Sequence, residues 1–167
     1  MRTEIAGERA LITGAGSGIG RAIAWRLAFL GCDVVLVGRS LSSLEQTKKL
    51  CLEQKRGSAA TYQCDLTNEN DICELIAQVS AIGGLDILVN NAGVMVNAPL
   101  EKTKTKDFDT IMSTNVRAPF LLMRESLPLL RKSESAEVIC LVWSNKNWNN
   151  ESSVVNRHSF HILLSFL

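Results

Sequence analysis

Between Thr13 and Gly20 the chain reads TGAGSGIG, with Gly14, Gly16, Gly18 and Gly20 set between an apolar run and a segment of helical spacing. Backbone without side chains can approach a ligand closely. A helix that begins there also turns its unpaired amides and the positive end of its dipole on an anion. The stretch is therefore suited to cradling a phosphate or pyrophosphate. Its spacing, Gly14-x-x-x-Gly18-x-Gly20, differs from the commonest dinucleotide fingerprint, G-x-G-x-x-G, and an ordinary positive-φ turn would use only one or two of these glycines. Two further positions can act with the loop. Arg39, following Gly38 in VLVGRS, offers a guanidinium able to meet a phosphate bidentately. Asn115 shares a helical stripe with Phe108, Ile111, Met112 and Leu122. Pro119, four residues on, has no N–H, so the carbonyl of Asn115 loses its usual helical partner and is left open to another donor.

The elements that must position these residues are legible in the apolar pattern. RALIT (9–13) reads as a strand entering the glycine loop, and IGRAIAWRLAFLG as a helix with Ile19, Ile23, Leu27 and Leu30 at helical spacing, ending at Gly31. DVVLV (33–37) is continuously apolar, as a parallel strand covered on both faces is. A helix over 41–56 follows, with Leu44, Lys48 and Leu52 on related turns. The alternation repeats: strand 59–63, helix 68–83, strand 85–90, a long helix over 105–130 and strand 137–142. Such alternation predicts right-handed βαβ crossovers and an α/β fold, a Rossmann-like doubly wound parallel sheet of about five strands, incomplete at its carboxyl end. Residues 1–142 are expected to form this partial domain. Residues 143–167, rich in Asn and without sustained period, read as a divergent tail outside it, although HILLSFL (161–167) could cover the open edge of the fifth strand.

A length of 167 residues suits one domain. Basic and acidic residues number 18 and 17, so there is no field to attract nucleic acid or a membrane surface, and small molecules are the expected partners. No apolar run approaches a membrane span, and the amino terminus lacks the pattern of a signal or transit peptide. The sequon at Asn150 reads as a chance match. Five cysteines without a Cys-x-x-Cys pair argue against a disulfide framework. A reducing, cytoplasmic setting is the expectation.

With Thr13 in front, the glycine stretch resembles the Thr-Gly-x-x-x-Gly-x-Gly cofactor motif of the short-chain dehydrogenase/reductase family. Three more features fall in register: NNAG at Asn90–Gly93 after the fourth strand, Asn115 in TNV, and Asp65 in CDL after the third strand. The resemblance implies cofactor contacts at Gly14, Ser17, Gly18, Ile19, Gly20, Arg39, Asp65, Leu66, Asn91, Ala92 and Gly93, a supporting role for Asn90, and a catalytic role for Asn115. It also implies hydride transfer between a nicotinamide dinucleotide and a small carbonyl or alcohol, and a possible homo-oligomer through the helix over 105–130. In sheets of this kind an acid at the end of the second strand meets the ribose hydroxyls of NAD, whereas an arginine accommodates the extra phosphate of NADP. Gly38 and Arg39 favour NADP(H) over NAD(H).

The resemblance has a boundary. The family's proton comes from a Tyr-x-x-x-Lys pair, and the single tyrosine here, Tyr62, has Leu66 four places on. The family's Ser falls on Trp143 or Ser144, its Tyr on Asn156 or Arg157, and its Lys on Phe160 or His161. Three readings remain open on the sequence: an NADP(H)-dependent oxidoreductase of carbonyl reductase or 3-oxoacyl reductase descent with impaired catalysis, a non-catalytic module that binds a dinucleotide or a partner, and a truncated product without function.

Overall fold

Continuous apolar runs become strands covered on both faces. The computed structural model describes residues 5–96, 98–145 and 158–165, with the backbone alone for 142–145 and 158–165. Strands β1 (Arg9–Thr13), β2 (Asp33–Gly38), β3 (Ala59–Gln63), β4 (Ile87–Asn90) and β5 (Glu137–Asn145) are parallel, and β6 (His158–Ser165) runs antiparallel to β5. The sheet order is β3-β2-β1-β4-β5-β6. Side chains alternate along each strand. Leu11, Val35 and Leu88 join Ile72, Leu75, Val79, Leu121 and Leu130 from helices α3 (Glu69–Ala81) and α5 (Ala118–Leu130). Ala10, Ile12, Val34, Leu36 and Val89 face helices α1 (Gly18–Phe29) and α2 (Leu41–Leu52) on the other side. Two apolar layers therefore sandwich one sheet, the doubly wound arrangement expected from the alternation of elements.

The helices turn different faces inward from those the apolar spacing suggests. In α1 the buried residues are Gly20, Ala24 and Ala28, while Ile23 and Leu27 lie at the margin and Leu30 is exposed. Small side chains let this helix close on the sheet, and the branched ones fill its flanks. In α2 the buried face is Leu44, Thr47 and Cys51 rather than Leu44, Lys48 and Leu52, because an unpaired ammonium cannot be buried whereas a hydroxyl with partners can. The pattern over 105–130 is not one helix. Helix α4 (Thr105–Met112) leads into a π turn over Ser113–Arg117 before α5 begins. The π turn occurs where Pro119 withholds the amide that an α-helical register would aim at Asn115. Along the stripe that carries Asn115, Leu122 is buried and Ile111 half-buried, but Phe108 (55 %) and Met112 (40 %) are exposed.

At the amino ends of the strands Asp33 accepts hydrogen bonds from the Ser58 amide (2.8 Å) and hydroxyl (2.7 Å) and from Arg9 (3.2 Å). Burial raises the carboxyl pKa, but the Ser58 bonds and the Arg9 charge outweigh it, and the net shift is below the ordinary 3.8. A depressed carboxylate contributes stability in full above its unfolded pKa and loses it as the pH falls through the folded value. Asp33→Asn is accordingly expected to cost about 1–2 kcal/mol in urea unfolding at pH 7. The deficit should shrink toward zero as unfolding is repeated below pH 3.8.

Candidate functional site

Four loops meet at the carboxyl ends of the strands, where the order reverses from β1 toward β2 on one side and β4 on the other. There they enclose a cleft of about 1110 Å³. This is the position at which open α/β sheets bind ligands. Every cofactor-site residue expected from the sequence lines it: Gly14, Ser17, Gly18, Ile19 and Gly20 after β1, Arg39 after β2, Asp65 and Leu66 after β3, and Asn91, Ala92 and Gly93 after β4.

The glycine loop is shaped for an anion. Gly18 has φ +52°, a conformation costly for a residue with a side chain. Gly20 packs so closely that a Cβ would run into the carbonyl of Gly14. Ser17, the N-cap of α1, forms no side-chain capping bond, so the first-turn amides of Gly18, Ile19 and Gly20 keep the orphan donors of a helix start. The loop is tied to the β4 turn through Thr13, which is 1 % exposed. The Thr13 hydroxyl donates to the Val89 carbonyl (3.3 Å) and accepts from the amides of Asn91 (3.0 Å) and Ala92 (2.9 Å). The Asn91 side chain returns a bond to the Thr13 carbonyl (2.8 Å). One buried hydroxyl thus sets the phosphate loop and the opposite wall relative to each other.

On the second-strand side Gly38 contributes no carboxylate, and Arg39 is exposed to the cleft. Ser40 caps α2 through the amide of Ser43 (3.4 Å). Asp65 accepts from the amide (3.0 Å) and hydroxyl (2.8 Å) of Thr67. These bonds, and after them the nearby Arg39 charge, hold its carboxyl below the usual range. Cys64 lines the same wall, and burial pushes its thiol up to about 12, so it stays protonated.

Asn115 does not line the cleft. Its side chain makes a reciprocal pair with the backbone of Val94, accepting from the amide and donating to the carbonyl, both at 2.8 Å. Val94 does line the cleft, so the amide group of Asn115 holds that wall in place. Asn90 is buried behind the wall, its Nδ2 on Cys140 Sγ at 3.4 Å and its Oδ1 without a partner among the described residues, as befits scaffold. Sequence reasoning missed several lining residues: Ser40 and Ser43 on α2, and Lys106, Asp109, Thr110, Ser113 and Thr114 on α4 and the π turn. The last group recurs every three or four residues, a polar face that its own helical period would have disclosed. Asn156 and Arg157, the positions where a tyrosine was sought, lie outside the described residues, as do the side chains of Trp143 and Ser144. Phe160 and His161, where the lysine was sought, fall on β6, opposite Trp143 and Val142.

A doubly wound sheet whose first loop is a glycine cradle defines the class of dinucleotide-binding α/β proteins. The family model for short chain dehydrogenase matches residues 8–151. Gluconate 5-dehydrogenase of Gluconobacter oxydans is 41 % identical over 119 residues, 71 % of this chain and 46 % of the relative. A 3-oxoacyl (acyl-carrier-protein) reductase of Agrobacterium tumefaciens with NADP bound superposes with a TM-score of 0.76 at 30 % identity, over 83 % of this chain and 55 % of that one. NAD+-bound xylitol dehydrogenase also superposes with a TM-score of 0.76, at 28 % identity, over 81 % of this chain and 53 % of that one. The chain belongs to the short-chain dehydrogenase/reductase family, and it spans about half the length of these relatives.

Proposed function

We propose that the chain binds NADP(H) in this cleft and serves an oxidoreductase that interconverts a small carbonyl compound and its alcohol. A bound nicotinamide would supply the hydride chemistry. The residues present fit such a group: orphan amides of α1 for the pyrophosphate, Asp65 and Leu66 for the adenosine, Arg39 for the 2′-phosphate, and Asn91 to Gly93 for the nicotinamide end. The observation that carries the reading is Arg39 lining the cleft beside Gly38, a guanidinium in place of the acid that would repel a 2′-phosphate. Relatives hold either NADP or NAD+, so the preference rests on this pair. Among the described residues every one that lines the cleft lies before residue 142, which supports placing the dinucleotide-binding part within residues 1–142, while the sheet itself continues through β5 to Asn145 and on to β6.

Proton transfer is where the chain falls short. Its one tyrosine, Tyr62, lies on β3 with Leu66 four places on, so no Tyr-x-x-x-Lys supplies an acid–base group. Without one, the chain forgoes the roughly 10² to 10⁴-fold that general acid–base catalysis contributes. A non-catalytic dinucleotide-binding role is favoured by the same observation. Cysteines 32, 51, 64, 73 and 140 are free thiols, and a cytoplasmic setting belongs to this reading. The exposed apolar residues Phe108, Met112, Val116 and Phe120 recur every four positions along α4 to α5 and support self-association there.

Titration of the purified chain with NADPH and NADH, followed by a panel of ketones, tests this reading. NADPH is expected to bind more tightly than NADH, with turnover slow or absent. Arg39→Ala should weaken NADPH about tenfold while leaving NADH within about twofold, the loss of one charge-assisted contact. Equal losses for both dinucleotides would refute the assignment of Arg39 to the 2′-phosphate.

A further inference from the structure

We propose that Arg21 and Thr47, neither of which lines the cleft, are positioning residues that aim the amides of the glycine loop. The inference rests on the reading of the cleft as a dinucleotide site. Thr47, on α2, is 0 % exposed, and its hydroxyl lies 2.9 Å from the carbonyl of Ala15 and 3.2 Å from that of Ser43. It has one proton to donate, and the shorter contact is the one to the loop. Arg21, on the second turn of α1, donates from Nε to the same hydroxyl at 3.0 Å. Its terminal nitrogen donates to the carbonyl of Gly16 and reaches Gln46 Oε1 at 3.4 Å. Two consecutive loop carbonyls are thus held from behind, one by each residue, and the two residues are bonded to each other.

The consequence follows from the planar trans peptide. In such a unit the carbonyl of one residue and the amide of the next point in opposite directions, and the chain contains no cis bonds among the described residues. Holding the Ala15 carbonyl on Thr47 therefore turns the Gly16 amide away from Thr47. Holding the Gly16 carbonyl on Arg21 does the same for the Ser17 amide. Gly16 and Ser17 both line the cleft, and neither amide has a hydrogen-bond acceptor among the described residues, whereas the preceding amide, Ala15, is committed to the Val37 carbonyl at 3.1 Å. An anion cradle works only if its donors are oriented before the ligand arrives. Satisfying the loop carbonyls elsewhere is what keeps those donors free.

The test uses the full chain and two probes: NADPH, which spans the loop, and adenosine 2′-monophosphate, which carries the adenosine and 2′-phosphate but no pyrophosphate. Thr47→Val and Arg21→Met should each weaken NADPH about tenfold, as loss of an oriented donor set does, while adenosine 2′-monophosphate stays within about twofold. Thr47→Ser, which keeps the hydroxyl, should restore NADPH to within about twofold of the unaltered chain, and the double variant should fall short of the sum of the single effects. Wild-type NADPH affinity in Thr47→Val or Arg21→Met would overturn the proposal. So would parallel loss of both probes, which would mark a merely structural role. Half-buried Arg21 supplies the decisive variant if Thr47→Val does not fold. If the unaltered chain binds adenosine 2′-monophosphate and NADPH, the cofactor reading stands whatever the variants do. If it binds neither, both readings fall together.

Discussion

Gly20→Ala is expected to be among the most damaging single substitutions in the chain. Gly20 sits on the first turn of α1, where a Cβ would run into the Gly14 carbonyl and lie 2.5 Å from Asn91 Nδ2. Neither neighbour can retreat cheaply. The Gly14 carbonyl belongs to the loop backbone, and Asn91 is fixed by its bond to the Thr13 carbonyl (2.8 Å). Alanine would ordinarily favour a helix by about 1 kcal/mol over glycine, so a net loss isolates the packing conflict. Urea unfolding should register a loss of about 3 kcal/mol, the upper range for overpacking in a rigid setting. In protein that remains folded, NADPH affinity should fall on the order of a hundredfold, because displacing the loop by about an ångström misaligns its donors. Unchanged stability would mean that the loop is more yielding than its contacts indicate.

Thr13→Val should come next. The replacement is nearly isosteric, so its effect reports the hydroxyl alone. It leaves the part-buried amide of Ala92 without its acceptor, while the Asn91 amide keeps its second contact, to the Val89 carbonyl at 3.1 Å. With about 1–3 kcal/mol for one orphaned amide and the loss of the Thr13 contacts to Asn91 and Val89, a loss of about 2 kcal/mol is expected. Thr13→Ser, which keeps all three contacts, should recover most of it. The dinucleotide should also bind less tightly to Thr13→Val, since the hydroxyl links the glycine loop to the wall formed by Asn91, Ala92 and Gly93. Equal stability of the Val and Ser variants would show that the hydroxyl does not carry the link.

Both sites explain why the motif residues are easier to find than to interpret. The glycine spacing, the strand-loop-helix order and the Gly38-Arg39 pair are local, and local order suffices to assemble the cleft because each of its loops directly follows a strand of a parallel sheet. Asn115 illustrates the opposite case. Pro119 marks the break in the helix within the sequence itself, and a π turn over Ser113–Arg117 stands there. Nothing local, however, indicates that the Asn115 side chain pairs with Val94, a residue from the loop after β4. The inward faces of α1 and α2 differ from the apolar pattern for a related reason. Apolar spacing ranks residues by hydrophobicity, whereas close packing on a sheet favours Gly20, Ala24 and Ala28, and a hydroxyl with partners, Thr47, can displace a longer cation from the buried face.

By itself, the sequence determined the doubly wound architecture, the family, the motif residues of the cleft and the lack of a Tyr-x-x-x-Lys pair. Each of these is written in the period of apolar residues or in short contiguous motifs. Tertiary structure decided how the cleft is held: Thr13 against the β4 turn, Thr47 and Arg21 against the loop carbonyls, Asn115 against Val94. Apart from the Arg21–Gly16 bond, those bonds join segments far apart in the chain. Whether a hydroxyl or guanidinium finds a carbonyl depends on how closely two helices and two strands approach, a distance set by the packing of the whole sheet and by no local pattern.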